Sequence, residues 1–261
     1  MDMAGRALEL KHGPPETWGW TRAMHEATGY RSPDAEYEGA ALSLVPAGTR
    51  WLDLGCGRAP FPHNPRLCAL LSARAGLLVG VDASANVLDN PYLHQRVRSP
   101  IETFAAAEVF DVVTLRMVAE HLARPVPVAQ ALARLVRPGG TVLIYTVHRW
   151  SPTAMLGAAF PHRLHRLAMR RLFSGEDRDV FPAHYRMNTR RALDTFMAGA
   201  GFEPGGTRLL DDCRTTQRWR VLHRLELMAW SMLRRIGVPY PERCILAIFT
   251  RRGGTRGGVS R

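Results

Sequence analysis

The sequence predicts an α/β fold built on a mainly parallel sheet. Two observations carry this expectation. Apolar runs of strand length recur at residues 51–54, 77–81, 110–115 and 141–147, separated by stretches of helical composition. That alternation argues for parallel strands joined by helical crossovers. The first run, Trp51-Leu52-Asp53-Leu54, also passes directly into Gly55-Cys56-Gly57. Two residues without a Cβ in that turn let a ligand come close to the main chain.

Taken in order, residues 1–48 read as a helical N-terminal extension. Trp18, Trp20, Met24 and Ala27 lie near helical spacing, and Pro33 opens a second helix that ends before Pro46. The extension either covers a ligand pocket or simply packs on the domain. After the glycine turn a helix is expected over about 64–74, with its N-terminal N–H groups near the turn. The next strand, 77–81, ends in Asp82. A carboxylate at that position is placed to accept hydrogen bonds from the ribose hydroxyls of a nucleoside. A weak strand is expected near 94–98, and the strong run Phe110-Asp111-Val112-Val113-Thr114-Leu115 follows.

Next come Ala119-Glu120-His121-Leu122, a helical stretch, Val136-Arg137-Pro138-Gly139-Gly140 and the strand over 141–147. Residues 151–188 then interrupt the alternation. Within them, 161–173 read as a basic amphipathic helix with Leu164, Leu167, Ala168 and Leu172 on one face. Asn188 or Thr189 is suited to cap a helix that runs to Ala200 and stops at Gly201. A strand over 202–210 is followed by a long helix carrying Trp219, Leu222, Leu225, Met228, Trp230 and Leu233. Side chains of that kind are expected in the core. A last apolar strand spans 244–250, and the Arg/Gly tail at 251–261 is expected to be disordered.

The segments LDLGCG, VGVD, FDVV, EHL and VRPGGTVLIY, in this order and spacing, resemble the class I S-adenosylmethionine-dependent methyltransferases of bacterial small-molecule type, over about residues 40–210. The resemblance implies a Rossmann-like, mainly parallel seven-stranded sheet with one antiparallel strand, a methyltransferase domain over 49–250 and a helical insertion after strand five that serves as a lid. It also implies roles for individual residues. Asp53 organises the glycine loop or meets the amino group of S-adenosylmethionine, and Gly55, Cys56 and Gly57 pass its amino-acid portion. Asp82 holds the ribose, Ala83 and Ser84 line the adenine side, and Ile101 and Glu102 contribute to adenine recognition. Arg116 and Met117 end the fourth strand beside the sulfonium. Two positions depart from the family pattern: Ala59, followed by Pro60, stands for the third glycine, and Ser99 stands for the commoner acid.

On the acceptor side, histidine suits proton removal near neutral pH. His121 and His148 follow the fourth and fifth strands and are the catalytic candidates. His184, Tyr185 and Arg186 are candidates for binding an anionic or hydroxylated acceptor. The expected acceptor is a small molecule, a glycan or a lipid-linked intermediate, methylated at oxygen. Two other readings stay open: an RNA methyltransferase and a non-catalytic cofactor-binding regulator. A nicotinamide dehydrogenase is disfavoured, because its Gly-x-Gly-x-x-Gly fingerprint would meet Pro60.

The formal net charge is +12, nearly all of it arginine, since Lys11 is the single lysine. This favours anionic partners, among them nucleic acid and an acidic membrane surface. Nucleic acid is not favoured, because the chain lacks an Asn-Pro-Pro-aromatic catalytic motif and an added RNA-binding module. Cys56, Cys68, Cys213 and Cys244 have no metal-ligand spacing, so neither a metal nor a disulfide framework is expected. With no secretory pattern at the N-terminus and no apolar run of about 20 residues, a cytoplasmic protein is expected. Peripheral contact with the inner face of the membrane stays open.

Overall fold

The computed structural model describes residues 2–159 and 182–253. Seven strands form one sheet: β1 (Arg50–Leu54), β2 (Leu77–Asp82), β3 (Gln95–Arg98), β4 (Phe110–Arg116), β5 (Val136–Val147), β6 (Phe202–Asp211) and β7 (Arg243–Arg251). Their order is β3-β2-β1-β4-β5-β7-β6. The first five are parallel to one another: Trp51 lies opposite Leu78 and Val112, and Val112 lies opposite Thr141. Strand β7 is antiparallel to both β5 and β6. The C-terminal ends of β1 to β6 and the start of β7 therefore share one edge of the sheet, the upper edge.

The central strands alternate between two cores. Leu52, Leu54, Val113, Leu115, Val142 and Ile144 face one side. Trp51, Leu78, Val112, Leu143 and Tyr145 face the other. Strands apolar on both faces are what a sheet covered by helices on both sides requires. The first side is covered by α5 (Pro125–Leu135) and by α7 (Arg190–Gly199), with Leu132 and Met197 inserted. The second is covered by α1 (Met3–His12), α3 (Pro33–Leu44) and α4 (Pro65–Arg74).

Of the two cap candidates ahead of α7, Thr189 is the one used, and α3 and α4 are also capped by side chains. Ser32 accepts from the Ala35 amide ahead of Pro33, Thr189 from Ala192, and Asn64 from Leu67 ahead of Pro65. Asn64 also joins three helices, since its Nδ2 donates to Ala7 O at 3.1 Å and to Glu38 Oε2 at 2.8 Å.

The structure corrects several expectations. The N-terminal extension contains three helices, and Trp18 falls outside α2 (Trp20–Thr28), bonding instead through Nε1 to Gly13 O at 3.1 Å. Between β2 and β3 there is a 3-10 turn (Ala85–Asp89), and between β3 and β4 no α-helix among the described residues, so the alternation is incomplete on that flank. After β5 comes α6 (Pro152–Ala159). The basic helix expected at 161–173 and most of the 251–261 tail lie outside the described residues.

The largest correction concerns α8 (Arg220–Arg235), which was expected to bury its apolar residues. It buries only His223, Leu227 and Trp230, and Leu222, Leu225 and Met228 are exposed, as is Trp219 at its N-cap. The physical reason is that α8 packs on α2 and the loops at the upper edge, through Tyr30 and Cys213, and meets the sheet at the end of β6, where Trp230 Nε1 donates to Asp211 Oδ2 at 2.9 Å, rather than across its face.

The α1–α3 contact gives a stability prediction. A Cβ on Gly39 would lie 2.5 Å from the backbone nitrogen of Ala4. Gly39→Ala gains about 1 kcal/mol of helix propensity, whereas overpacking costs about 1–3 kcal/mol, and backbone atoms yield less readily than a side-chain tip. The variant is expected to unfold at a lower temperature, with amide exchange quickened in α1. An unchanged Tm with unchanged protection of α1 would disprove this packing.

Candidate active site

The glycine turn sits at the upper end of β1. Gly55 (φ 69°) and Gly57 (φ 50°) are both in the left-handed region. A Cβ at Gly55 would strike Val118 Cγ2 at 2.2 Å, whereas nothing lies within 4 Å of a Cβ built on Gly57. One glycine therefore serves packing, and the other leaves bare backbone facing open space. The turn is held from two sides. The Gly57 amide donates to Asp82 Oδ2 at 2.9 Å, and Asn90 Nδ2 donates to Gly57 O at 3.1 Å. Asp82 Oδ1 also accepts from the Ser84 amide at 2.8 Å. Ala59, at the third-glycine position, is packed against the core.

Ser99 N donates to Asp82 O at 2.9 Å, which brings the segment carrying Ile101 and Glu102 beside Asp82. Ile101 is itself a core residue, and Glu102 meets Arg134 through its backbone oxygen at 3.4 Å. Ala83 is exposed, and its oxygen accepts from Arg98 Nε at 3.3 Å. Cys56 is buried in space that Gly80 leaves, since a Cβ there would lie 2.7 Å from Cys56 Sγ. Burial pushes its thiol far up, so it is inert packing.

Asp53 lies beneath the turn and is 1% exposed. Trp51 Nε1 donates to Thr114 Oγ1 at 2.8 Å, and Thr114 Oγ1 donates to Asp53 Oδ1 at 2.6 Å. Asp53 Oδ2 is buried with no hydrogen-bond partner. Burial raises the Asp53 pKa to about 7. A partnerless buried carboxylate oxygen beside an open glycine turn is a site that a cationic ligand group would satisfy.

Above β4 and β5 lies a buried ion network that the sequence analysis did not find. Asp34, in the first turn of α3, pairs with Arg214 and, at 3.3 Å, with Arg116 at the end of β4. Arg214 also meets Asp212 Oδ2 at 2.7 Å and donates to the Tyr145 hydroxyl at 3.2 Å. Tyr145 stacks on Tyr37 with ring centroids 5.2 Å apart. Burial works against the Asp34 charge, but Arg214 and Arg116 outweigh it and bring its pKa to about 2. Arg116, expected beside the cofactor, is thus committed to α3.

The acceptor candidates gather where β4 and β5 end. Glu120, inside the EHL segment but not singled out from sequence, is buried and accepts from Thr146 Oγ1 at 2.7 Å. Its backbone oxygen accepts the His184 and Tyr185 amides at 2.6 and 3.1 Å. Asn188 closes the group by donating to Thr146 Oγ1 at 2.7 Å. His184 and Arg186 are exposed, and Tyr185 is half-buried. Met117 (φ 52°) and Tyr185 (φ 51°) are the non-glycine residues with positive φ among those described, and both lie here.

His121 Nδ1 is 3.2 Å from Pro182 O. A carbonyl only accepts, so Nδ1 carries the hydrogen of that contact. His148 is the reverse: its Nδ1 accepts from the Trp150 amide at 3.3 Å, so Nε2 carries the hydrogen. Burial, and then the charge of Arg243, lower the His148 pKa and keep that ring neutral. Among the described residues no group of His, Cys, Asp and Glu is arranged to hold a metal ion.

The sheet order, the glycine turn and the acid after β2 define a class I methyltransferase fold, a class whose cofactor is S-adenosylmethionine. The model of a methyltransferase domain family matches residues 26–205, and the chain belongs to that family. Curated relatives include the ubiquinone biosynthesis O-methyltransferases of Aromatoleum aromaticum and Xanthomonas oryzae. The first is 35% identical over 113 residues, covering 40% of this chain and 46% of the relative. The second is 34% identical over 137 residues, covering 49% and 56%. The chain spans about half the length of the curated relatives it matches.

Solved structures agree on the fold alone. An S-adenosylmethionine-dependent methyltransferase from Mesorhizobium loti has a TM-score of 0.54 at 17% identity, covering 84% of this chain and 98% of its own. A cyclopropane synthase from Mycobacterium tuberculosis has a TM-score of 0.52 at 18% identity, covering 83% of each.

The raised pKa of Asp53 makes stability depend on pH. An unfolded aspartate titrates near 3.8 and the folded one near 7, so the native state holds the proton more tightly between these values. The stabilisation from this group is complete below the lower pKa and is lost as pH rises through the upper one, a change on the order of 4 kcal/mol. Asp53→Asn removes the titration. Without cofactor, its Tm relative to the native protein is expected to rise between pH 5 and pH 8. A difference that stays flat across that range would show that Asp53 does not titrate there.

Proposed function

We propose that the protein transfers the methyl group of S-adenosylmethionine to an oxygen of a small-molecule, glycan or lipid-linked acceptor. The observation that carries this reading is the bare Gly57 backbone fixed to the Asp82 carboxylate, with the partnerless Asp53 Oδ2 beneath it. The curated relatives are named as O-methyltransferases, which supports oxygen as the acceptor atom.

In this reading Asp82 accepts from the ribose hydroxyls while keeping its bonds to the Gly57 and Ser84 amides. Asp53 Oδ2 receives the amino group, directly or through water, and the backbone of 55–57 lines the amino-acid portion. Ala83, Ser84, Ile101 and Glu102 border the adenine side, chiefly through backbone groups. Met117 borders the reacting centre, and Arg116 acts through Asp34 by fixing α3 above it. The bound cofactor supplies a methyl group on positive sulfur, which a nucleophile displaces in line. The protein's own work is orientation, exclusion of water and removal of the acceptor proton. Nε2 of His121 takes that proton, and Nε2–H of His148 donates to the acceptor and positions it. His184, Tyr185 and Arg186, anchored to Glu120, border the acceptor.

Two measurements test this. Asp82→Ala is expected to weaken S-adenosylmethionine binding by roughly ten- to a hundredfold in calorimetric titration, as loss of hydrogen bonds to a charged acceptor would. Native affinity in the folded variant would remove Asp82 from the site. With methyl-labelled cofactor and a hydroxylated aromatic acceptor, His121→Ala is expected to lower kcat by roughly a hundredfold or more. His148→Ala should act mainly on KM. Native kcat in His121→Ala, or no labelled product from any hydroxylated acceptor, would sink the assignment.

A further inference from the structure

Helix α8 is amphipathic twice over. Its inner face buries His223, Leu227 and Trp230. Its opposite, outer face is apolar as well: Val221, Leu225, Met228, Met232 and Ile236 at its C-cap are 73%, 56%, 59%, 62% and 62% exposed. At 3.6 residues per turn these five fall within an arc of about 80°, and Arg224 and Arg235 follow along one border of it, with Arg220 further round. A surface helix is normally polar on the side away from its core, and exposed apolar surface of this extent marks an interaction site.

The position of α8 is as telling as its composition. It connects the upper end of β6 to the upper start of β7, so it stands on the same edge of the sheet as the glycine turn, Asp82, His121 and His148. Trp150, Met155 and Leu156, 61%, 50% and 58% exposed, leave β5 at that same edge.

We propose that the outer face of α8 docks this edge of the protein on an anionic lipid bilayer. The apolar stripe would enter the interface between headgroups and acyl chains while the arginine border meets the headgroup charge. Apolar stripes bordered by arginine are the pattern of helices that lie in the plane of a membrane. The charge chooses among occupants. A second copy would bring another arginine border and another net charge of +12 to the contact, whereas an anionic surface neutralises both. No described helix is long and apolar enough to cross a membrane, so the contact is peripheral. The consequence for the acceptor rests on the methyl-transfer reading: docking at this edge would present the site to an acceptor with an apolar tail held in the bilayer.

The test is flotation of the full chain with vesicles of phosphatidylcholine alone and of phosphatidylcholine mixed with phosphatidylglycerol, without cofactor or acceptor. Binding is expected to the mixed vesicles, with weakening as salt screens the charges. Leu225→Glu with Met228→Glu should abolish binding while Tm and S-adenosylmethionine affinity stay native, because both side chains point outward. Arg224→Gln with Arg235→Gln should weaken it roughly thirtyfold, taking about 1 kcal/mol for each arginine near the surface. It also keeps the test open if the glutamate variant misfolds.

Equal binding to both vesicles, no binding to either, or native binding by a folded variant overturns the inference. So does sedimentation showing a dimer that the same substitutions dissociate. Failure of vesicle binding with methyl transfer to a soluble acceptor intact removes the docking surface alone. Failure of methyl transfer with vesicle binding intact removes the proposed activity alone.

Discussion

The upper edge of the sheet depends on one buried hydrogen-bond chain, from Trp51 Nε1 through Thr114 Oγ1 to Asp53 Oδ1. It joins β1 to β4 through side chains, in addition to the parallel ladder between them. A threonine hydroxyl has one hydrogen to give, and here it gives that hydrogen to the carboxylate while accepting from the indole. The direction of the chain leaves Asp53 Oδ2 as the acceptor with nothing to accept. Replacing Thr114 by an apolar isostere would strand both an indole N–H and a carboxylate in a core, and unsatisfied groups there cost more than a hydrogen bond gains. The glycine turn thus begins where the polarity of a side-chain network has already been set.

The second constraint is the ion network about Asp34. Buried ion pairs contribute little net stability relative to apolar packing, yet losing one partner is costly because a charge is left behind. That asymmetry makes them suited to fixing one arrangement. Asp34 ties α3 to Arg116 at the end of β4 and to Arg214 just after β6, so a helix from the start of the chain and a loop from its end are locked over the same edge. Tyr37 stacked on Tyr145 fills the space below. The N-terminal helices accordingly roof the upper ends of β4 and β5.

Much of this was legible in the sequence, for local reasons. The turn at Gly55 and Gly57, Asp82 at a strand end, Pro33 as a helix opener and Thr189 as a cap are each set by the conformational preferences of a few adjacent residues. The antiparallel last strand followed from family order, and the ladder of β7 bears it out. What stayed hidden depends on distance along the chain. Asp34 and Arg214 are 180 residues apart, and His25 and His223, whose Nε2 atoms approach to 2.8 Å, are 198 apart. No local pattern marks either pair. The face of α8 failed for another reason. Its apolar residues have helical spacing, but spacing gives the face and not the neighbour, and two opposite faces of that helix are apolar.

The strained residues suggest how acceptor specificity is built. Met117 and Tyr185 hold positive φ values that L residues avoid, and such strain persists only where the surroundings over-determine it. For Met117 the determinant is its amide bond to Tyr145 O at 2.7 Å, which continues the β4–β5 ladder one step past the end of β4. For Tyr185 it is the bond to Glu120 O, reinforced by the neighbouring His184 amide and by the anchoring of Asn188 on Val147 O at 2.8 Å. The first distortion is therefore imposed by the sheet itself, and the second by the turn carrying Glu120 just beyond β4. The wall around the upper ends of β4 and β5 is rigid main chain, and the exposed side chains of His184 and Arg186 project from it. Acceptor preference can then change through those side chains without disturbing the turn that faces the cofactor, because that turn is held by Asp82, Asn90 and Val118 and not by His184 or Arg186.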